Sequence, residues 1–130
     1  MTGASFWLCL GAIAGGSGVV LGAFGAHALR DRLTESALAT WQTAVAYQFT
    51  HALALLVVAI LLRLGIEAER SLGVAAIAFV LGIALFSGSL YLLALGGPRW
   101  LGPITPLGGL AFIVGWIALA VAAFRMSQVG

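Results

Sequence analysis

The chain has 130 residues, of which 62% are hydrophobic and 8% are charged, and its formal net charge is +2. A water-soluble domain carries about 25% charged residues, and one of about 150 residues buries only about 70% of the surface that its unfolded chain exposes. The composition therefore excludes a soluble enzyme, a nucleic-acid module and a disordered segment, and it indicates a protein whose solvent is lipid.

Four stretches of at least 21 residues contain no charged side chain: Phe6–Ala26, Leu38–Leu62, Ser71–Leu95 and Trp100–Phe124. A helix needs about 20 apolar residues to cross roughly 30 Å of hydrocarbon. We therefore predict a single transmembrane domain over residues 1–130, an all-α integral membrane four-helix bundle that is antiparallel in sequence order. The predicted helices cover about 4–27, 35–64, 71–95 and 106–125.

The first predicted helix carries glycine at close spacing. Gly11 and Gly15 form one G-x-x-x-G pair, and Gly18 and Gly22 form a second. Small residues at this spacing let the backbone of another membrane helix approach closely. We therefore predict a helix-packing seam on this face, against either another helix of this chain or a second copy of it.

The second predicted helix has a recognisable start. Thr34 is placed to cap it, and Glu35 then lies in the first turn, where the helix dipole favours an anion. The first part of the helix is semi-polar and includes Trp41, a residue type that is enriched at membrane–water interfaces. We expect this helix to begin outside the hydrocarbon and then to cross it.

Polar side chains share one face of this helix at steps of three and four residues: Thr40, Thr43, Tyr47 and His51. His51 lies well inside the membrane, where an ionisable residue normally faces a bundle interior or a wet cavity. One interpretation is a neutral histidine that holds helices together, and the other is a proton or ligand role. We expect no cofactor and no metal, because a metal site needs three or four ligands, and the chain offers only His27, His51 and a lone Cys9 on the wrong side, with no carboxylate inside the spans.

The last two helices are predicted from caps and prolines. Ser71 is placed to cap the third helix. All three prolines fall between the third and fourth helices, where Gly97-Pro98 and Gly102-Pro103 indicate turns. Thr105-Pro106 is typical of an N-cap followed by the first helical residue.

The polar residues are expected to gather in one half of the membrane. The predicted ligand-binding set comprises His27, Gln42, Tyr47, Gln48, His51, Ser87, Ser89 and Thr105. These residues would line a shallow polar cavity that opens toward the connections containing Arg30 and Arg99, or they would simply be satisfied polar groups near an interface. Catalysis is not expected, because no acid is placed to orient the imidazole of His51.

Six segments in chain order resemble one known family: Gly22–Leu29, Trp41–Gln48, His51–Leu55, Phe86–Tyr91, Leu101–Gly109 and Gly115-Trp116. It is the small membrane family catalogued as domain of unknown function number four-two-three, which is related to a small eukaryotic mitochondrial transmembrane protein. The resemblance implies a four-helix protein of the bacterial inner membrane. It implies no substrate, cofactor or catalytic residue.

We thus predict a non-catalytic, multi-pass protein of the bacterial inner membrane that contacts membrane lipids and no nucleic acid. It would bind a lipid or another hydrophobic ligand, or it would act as an accessory subunit in a larger membrane complex or as a homo-oligomer. The alternative is a small transporter or proton-conducting carrier that uses His51. The positive-inside rule leaves the orientation open, because it counts three arginines on each side.

Overall fold

The computed structural model describes residues 3–128 and is built from four long helices, with no strand among those residues. The helices are α1, Gly3–His27; α2, Glu35–Arg63; α3, Glu69–Ala94; and α4, Ile104–Ser127. A short 3-10 turn, Arg99–Leu101, precedes α4. Each helix is long and apolar enough to cross a membrane. The predicted all-α fold with four membrane-length helices is confirmed.

Thr34 begins α2 in the way that the sequence predicts. Its backbone is extended, and its Oγ1 accepts a hydrogen bond of 3.1 Å from the backbone N–H of Ala37. This bond satisfies one of the N–H groups that the first turn of a helix leaves without a partner.

The predicted caps of the last two helices are wrong. The third helix begins at Glu69 after Ala68, so that Ser71 lies inside the first turn and is buried. The fourth begins at Ile104, and the hydroxyl of Thr105 bonds to another helix instead of capping its own. Pro106 remains in the first turn, where its missing N–H needs no intrahelical partner.

The order of packing is α1, α2, α3, α4, with α2 and α3 at the centre. The first helix packs mainly on α2, and the fourth packs mainly on α3. Gly3, Arg63 and Glu69 lie around one cavity, and Arg125 lies near the connection between α2 and α3. We call this end of the bundle the terminal end, because both ends of the described chain lie there.

Glycines let α1 approach α2 closely. Gly11, Gly18 and Gly25 are buried, and an added methyl group at Gly25 would overlap the ring of Trp41. The indole N–H of Trp41 donates to the carbonyl of Leu21 at 2.9 Å, so this tryptophan is buried between helices instead of anchoring an interface. The close contacts on α1 therefore recur every seven residues, which is about two helical turns.

The seam expected from the two G-x-x-x-G pairs is thus placed differently. Gly11, Gly18 and Gly22 face side chains of α2, whereas an added methyl group at Gly15 would meet nothing in the described part of the chain. An interval of seven residues keeps a face in register along two nearly antiparallel helices. Gly22, four residues after Gly18, also borders this face, whereas Gly15, four residues after Gly11, lies outside it.

Glycines also bring α3 and α4 together. Gly82 makes room for the ring of Phe112, and Gly115 makes room for the ring of Phe79. At Gly108 the approach is between two backbones, because an added methyl group would overlap the backbone of Phe86. These contacts place aromatic rings between the helices and position the aromatic residues of the site.

A five-residue π-helical turn, Ile83–Ser87, interrupts α3. Such turns insert one extra residue into a helix. Ser87 lies at the end of this turn, is fully buried and donates a hydrogen bond of 2.8 Å to the carbonyl of Ala44 in α2. The wide turn therefore coincides with a direct polar contact between the two central helices.

Candidate functional site

His51 lies near the middle of α2. It is 16 residues after Glu35 and 12 residues before Arg63, which places it roughly 24 and 18 Å from the two ends of α2. Its Nδ1 lies 2.7 Å from the carbonyl oxygen of Tyr47, and its Nε2 lies 3.0 Å from the indole nitrogen of Trp116. A carbonyl only accepts and an indole only donates, so the imidazole is neutral and carries its proton on Nδ1.

Aromatic rings enclose this imidazole. The ring of Phe112 stacks on it with the centroids 3.5 Å apart and the planes 12° from parallel, while Phe79 and Trp116 approach at 5.6 and 5.7 Å. Only 4% of His51 is exposed. A second proton would make both ring nitrogens donors and would break the bond from Trp116. The geometry therefore favours a role in holding α2 to α4 over a role as a proton relay.

Gln48 joins three helices at a similar depth. Its amide nitrogen donates to the carbonyl of Ala14 and to the hydroxyl of Ser17 in α1, both at 2.9 Å. Its amide oxygen accepts from the hydroxyl of Tyr91 in α3 at 2.7 Å. Gln48 is buried, so these bonds satisfy an amide that would otherwise be costly inside the membrane.

We predict that Gln48→Leu lowers the free energy of unfolding by about 2 kcal/mol, because three interhelical bonds of roughly 0.6 kcal/mol each are lost. Reversible unfolding in mixed micelles measures the change. Gln42→Leu is the matched control, since Gln42 is exposed on the same helix, and it is expected to change stability by less than about 0.5 kcal/mol. Equal effects of the two substitutions would contradict the bridging role of Gln48.

The other predicted site residues do not join this cluster. Ser87 contacts α2, and the hydroxyls of Ser89 and Thr105 bond to each other across α3 and α4. His27 and Gln42 are exposed. The structure therefore distributes the predicted set over several separate contacts, and a ligand role for these residues stays a prediction.

Gln48 and His51 lie near the middle of α2, which extends well beyond them in both directions. Ser87, Ser89 and Thr105 lie in the halves of α3 and α4 that are away from the terminal end. The expectation that the polar residues gather in one half of the membrane stays a prediction. In residues 3–128, no buried side-chain nitrogen or oxygen lacks a hydrogen-bond partner. Within the same residues, no three side chains of His, Cys, Asp or Glu come together to hold a metal ion.

A lateral groove of about 580 Å³ runs between α2 and α4 beside His51. We call it the aromatic groove, and it is lined by Tyr47, His51, Phe86, Pro106, Gly109, Leu110, Phe112, Ile113 and Trp116. Tyr47 is 45% exposed, and its hydroxyl makes no hydrogen bond with the described residues. The groove thus offers aromatic surface and one available hydroxyl.

Sequence reasoning identified His51 but missed Trp116 and Phe112 as its partners. The hydrogen bond between His51 and Trp116 joins residues that are 65 positions apart. The one available signal was the Gly115-Trp116 pair among the segments that resemble the family. The sequence does not show that Trp116 is the partner of His51, because this contact depends on how α3 and α4 pack.

A family model described as "Protein of unknown function (DUF423)" matches residues 21–109. The chain belongs to this family. The matched range includes Gln48 and His51, whereas Phe112 and Trp116 follow it. The description gives no activity, ligand or partner. Membership of the family therefore assigns no chemistry to this chain.

Several curated relatives are similar over nearly their whole length. The chain is 44% identical over 124 residues to "UPF0382 membrane protein YwdK" of Bacillus subtilis, with 92% of this chain and 96% of the relative covered. It is 42% identical over 123 residues to a "UPF0382 membrane protein" of Staphylococcus epidermidis, with 93% and 97% covered. It is 37% identical over 129 residues to "UPF0382 inner membrane protein YgdD" of Escherichia coli, with 96% and 94% covered.

These names agree with the four apolar helices. The chain is a multi-pass membrane protein, and the name of the relative from Escherichia coli indicates the bacterial inner membrane. No solved structure matches the chain.

Proposed function

We propose that this DUF423 protein binds a lipidic ligand from the bilayer in the aromatic groove and catalyses no reaction. The volume of the groove, about 580 Å³, lies within the range of roughly 300–1,000 Å³ that is common for ligand sites. Aromatic and aliphatic side chains line most of it, which suits an apolar ligand that enters sideways from the membrane.

The hydroxyl of Tyr47 is the observation that carries this proposal. Tyr47 lies 12 residues after Glu35, which is roughly 18 Å along α2 and well inside the hydrocarbon. Lipid tails offer no acceptor, and an unsatisfied hydroxyl in an apolar environment costs about 1–3 kcal/mol. A ligand with a carbonyl or ether oxygen beside Tyr47 would remove this cost.

A groove-filling substitution tests the proposal. Gly109 lines the aromatic groove, and a methyl group added there meets Phe86 at an ordinary 3.9 Å. Gly109→Leu therefore adds bulk inside the groove, and its first added carbon makes only an ordinary contact. We expect native mass spectra from mild detergent to show a lipid bound to the wild type, and the bound fraction to fall about tenfold in the variant, which corresponds to about 1.4 kcal/mol.

Gly16→Leu is the matched control, because Gly16 lies on α1 with open space around it. It adds the same side chain outside the groove and should leave the bound lipid unchanged. Tyr47→Phe keeps the ring and should lower the bound fraction by a smaller factor. A bare wild-type monomer, or equal lipid retention in Gly109→Leu, would overturn the proposal, and a retained second protein would support the accessory-subunit alternative in its place.

A further inference from the structure

We propose a second binding site, independent of the aromatic groove, in which the crevice between α1 and α3 holds an aminophospholipid. The headgroup lies at the terminal end of the bundle, in a cavity of about 470 Å³ between the first turns of α1 and α3 and the last turn of α2. Trp7, Arg63, Glu69 and Gly73 are among the residues that line it.

The charges in this cavity are opposite in sign and are not paired with each other. Neither Arg63 nor Glu69 makes an ion pair with any residue in 3–128. The indole N–H of Trp7 also has no hydrogen-bond partner within this range. The lining of the cavity therefore presents a free cation, a free anion and a free donor, one from each of α2, α3 and α1.

An aminophospholipid headgroup complements these three groups. Its phosphate accepts charge-assisted hydrogen bonds from the guanidinium of Arg63, and its primary ammonium donates to the carboxylate of Glu69. Trp7 follows Gly3 by four residues, about one turn of α1, and its N–H is available to an ester oxygen of the lipid. Tryptophan is a residue type that is enriched at this level of a membrane.

A separate hollow lies between α1 and α3, further from the terminal end than this cavity. This hollow of about 220 Å³ is lined by Leu10 and Ile13 of α1 and by Val80 and Ile83 of α3. The residues that line this hollow lie about seven positions further along α1 and α3 than those that line the cavity, as Val80 does relative to Gly73. Seven residues of helix are roughly 10 Å long. A polar cavity above an apolar hollow is the shape and polarity of one phospholipid with its acyl chain.

The crevice stays open because of how α1 packs. The glycines of α1 face α2, so α1 lies close to α2 and leaves space beside α3. Gly73 adds to this space, since a methyl group built there meets nothing within 4 Å. The cavity is therefore a product of the helix arrangement and requires no displacement of a side chain.

Three lipids with identical acyl chains test the headgroup. Phosphatidylethanolamine carries a phosphate and N–H donors, phosphatidylcholine lacks the N–H donors, and phosphatidylglycerol lacks the cation. Titration of the detergent-purified protein, followed by native mass spectrometry, should show phosphatidylethanolamine bound about tenfold more tightly than the other two, since one charge-assisted hydrogen bond distinguishes them.

Variants assign the two charges and the cavity. Glu69→Gln should remove the preference for phosphatidylethanolamine and leave phosphatidylglycerol binding unchanged. Arg63→Gln should weaken all three lipids. Gly73→Leu should abolish binding at this site because it fills the cavity, whereas Gly16→Leu should not change it.

Some results would overturn this proposal. They are equal affinity for the three lipids, a preference that survives Glu69→Gln, and unchanged binding in Gly73→Leu. Competition by soluble glycerophosphoethanolamine at the same concentration as the lipid would assign the site to a free headgroup compound and not to a lipid. Gly109→Leu should leave the headgroup preference intact, so failure at this site is distinguishable from failure at the aromatic groove.

Discussion

Gly108→Ala is expected to lower the free energy of unfolding by about 2–3 kcal/mol, the cost of forcing an extra group into a packed interface. The added methyl group would overlap the backbone nitrogen and Cα of Phe86, and a backbone cannot move aside as a flexible side chain can. The helices α3 and α4 would have to separate, which would also loosen the ring contacts at Gly82 and Gly115. Reversible unfolding in mixed micelles measures the loss.

The adjacent residue provides the control for this prediction. At Gly109 an added methyl group meets only the ring of Phe86 at 3.9 Å, which is an ordinary contact. Alanine also has a higher helix propensity than glycine by about 1 kcal/mol, and this gain applies to both positions. Gly109→Ala should therefore be neutral or stabilising, and equal stability of the two variants would show that α3 and α4 do not touch at Gly108.

His51→Ala is expected to lower the free energy of unfolding by about 3 kcal/mol, as for the loss of other large buried side chains. The substitution removes the ring that stacks on Phe112 and leaves the indole N–H of Trp116 without an acceptor. His51→Phe keeps an aromatic ring of similar size and loses only the hydrogen bonds, so it should cost about 1 kcal/mol. His27→Ala is the control, because His27 is exposed at the end of α1.

A flux measurement separates this structural role from the carrier alternative. We expect liposomes containing the wild type to change internal pH no faster than empty liposomes or liposomes containing His51→Phe. Both nitrogens of His51 are engaged in hydrogen bonds, and an additional proton would displace the one from Trp116. A flux in the wild type that disappears in His51→Phe, without a loss of folded protein, would support the carrier alternative and contradict the structural role.

Most of the fold prediction depended on where the charged residues lie in the sequence. Because a charged side chain is costly in hydrocarbon, the clusters around Arg30 and Arg63 had to lie outside the membrane, and the apolar stretches between them had to cross it. The same reasoning directed His51 toward the bundle interior, where the structure has it. The cap at Thr34 was predictable because capping depends on a few neighbouring residues.

The partners of these groups were not predictable from the sequence. Nothing in the sequence position of Tyr91 indicated that its hydroxyl donates to the amide oxygen of Gln48, which is 43 positions away. Gly15 and Gly25 are both glycines of α1, yet only the packing of α2 places Gly25 in the interface and Gly15 outside it. Ser71 and Thr105 have the residue type of a cap, but their helices start two and one residues earlier.

The sequence by itself determined how many times this chain crosses the membrane and which polar groups must find partners inside it. The cost of exposing charges and hydrogen-bonding groups to hydrocarbon depends on residue type and on length along a helix, and both are read directly from the chain. The tertiary structure alone decided which groups pair and which spaces stay open. Those outcomes depend on the rotation and separation of whole helices, which α1, α2, α3 and α4 settle only against one another.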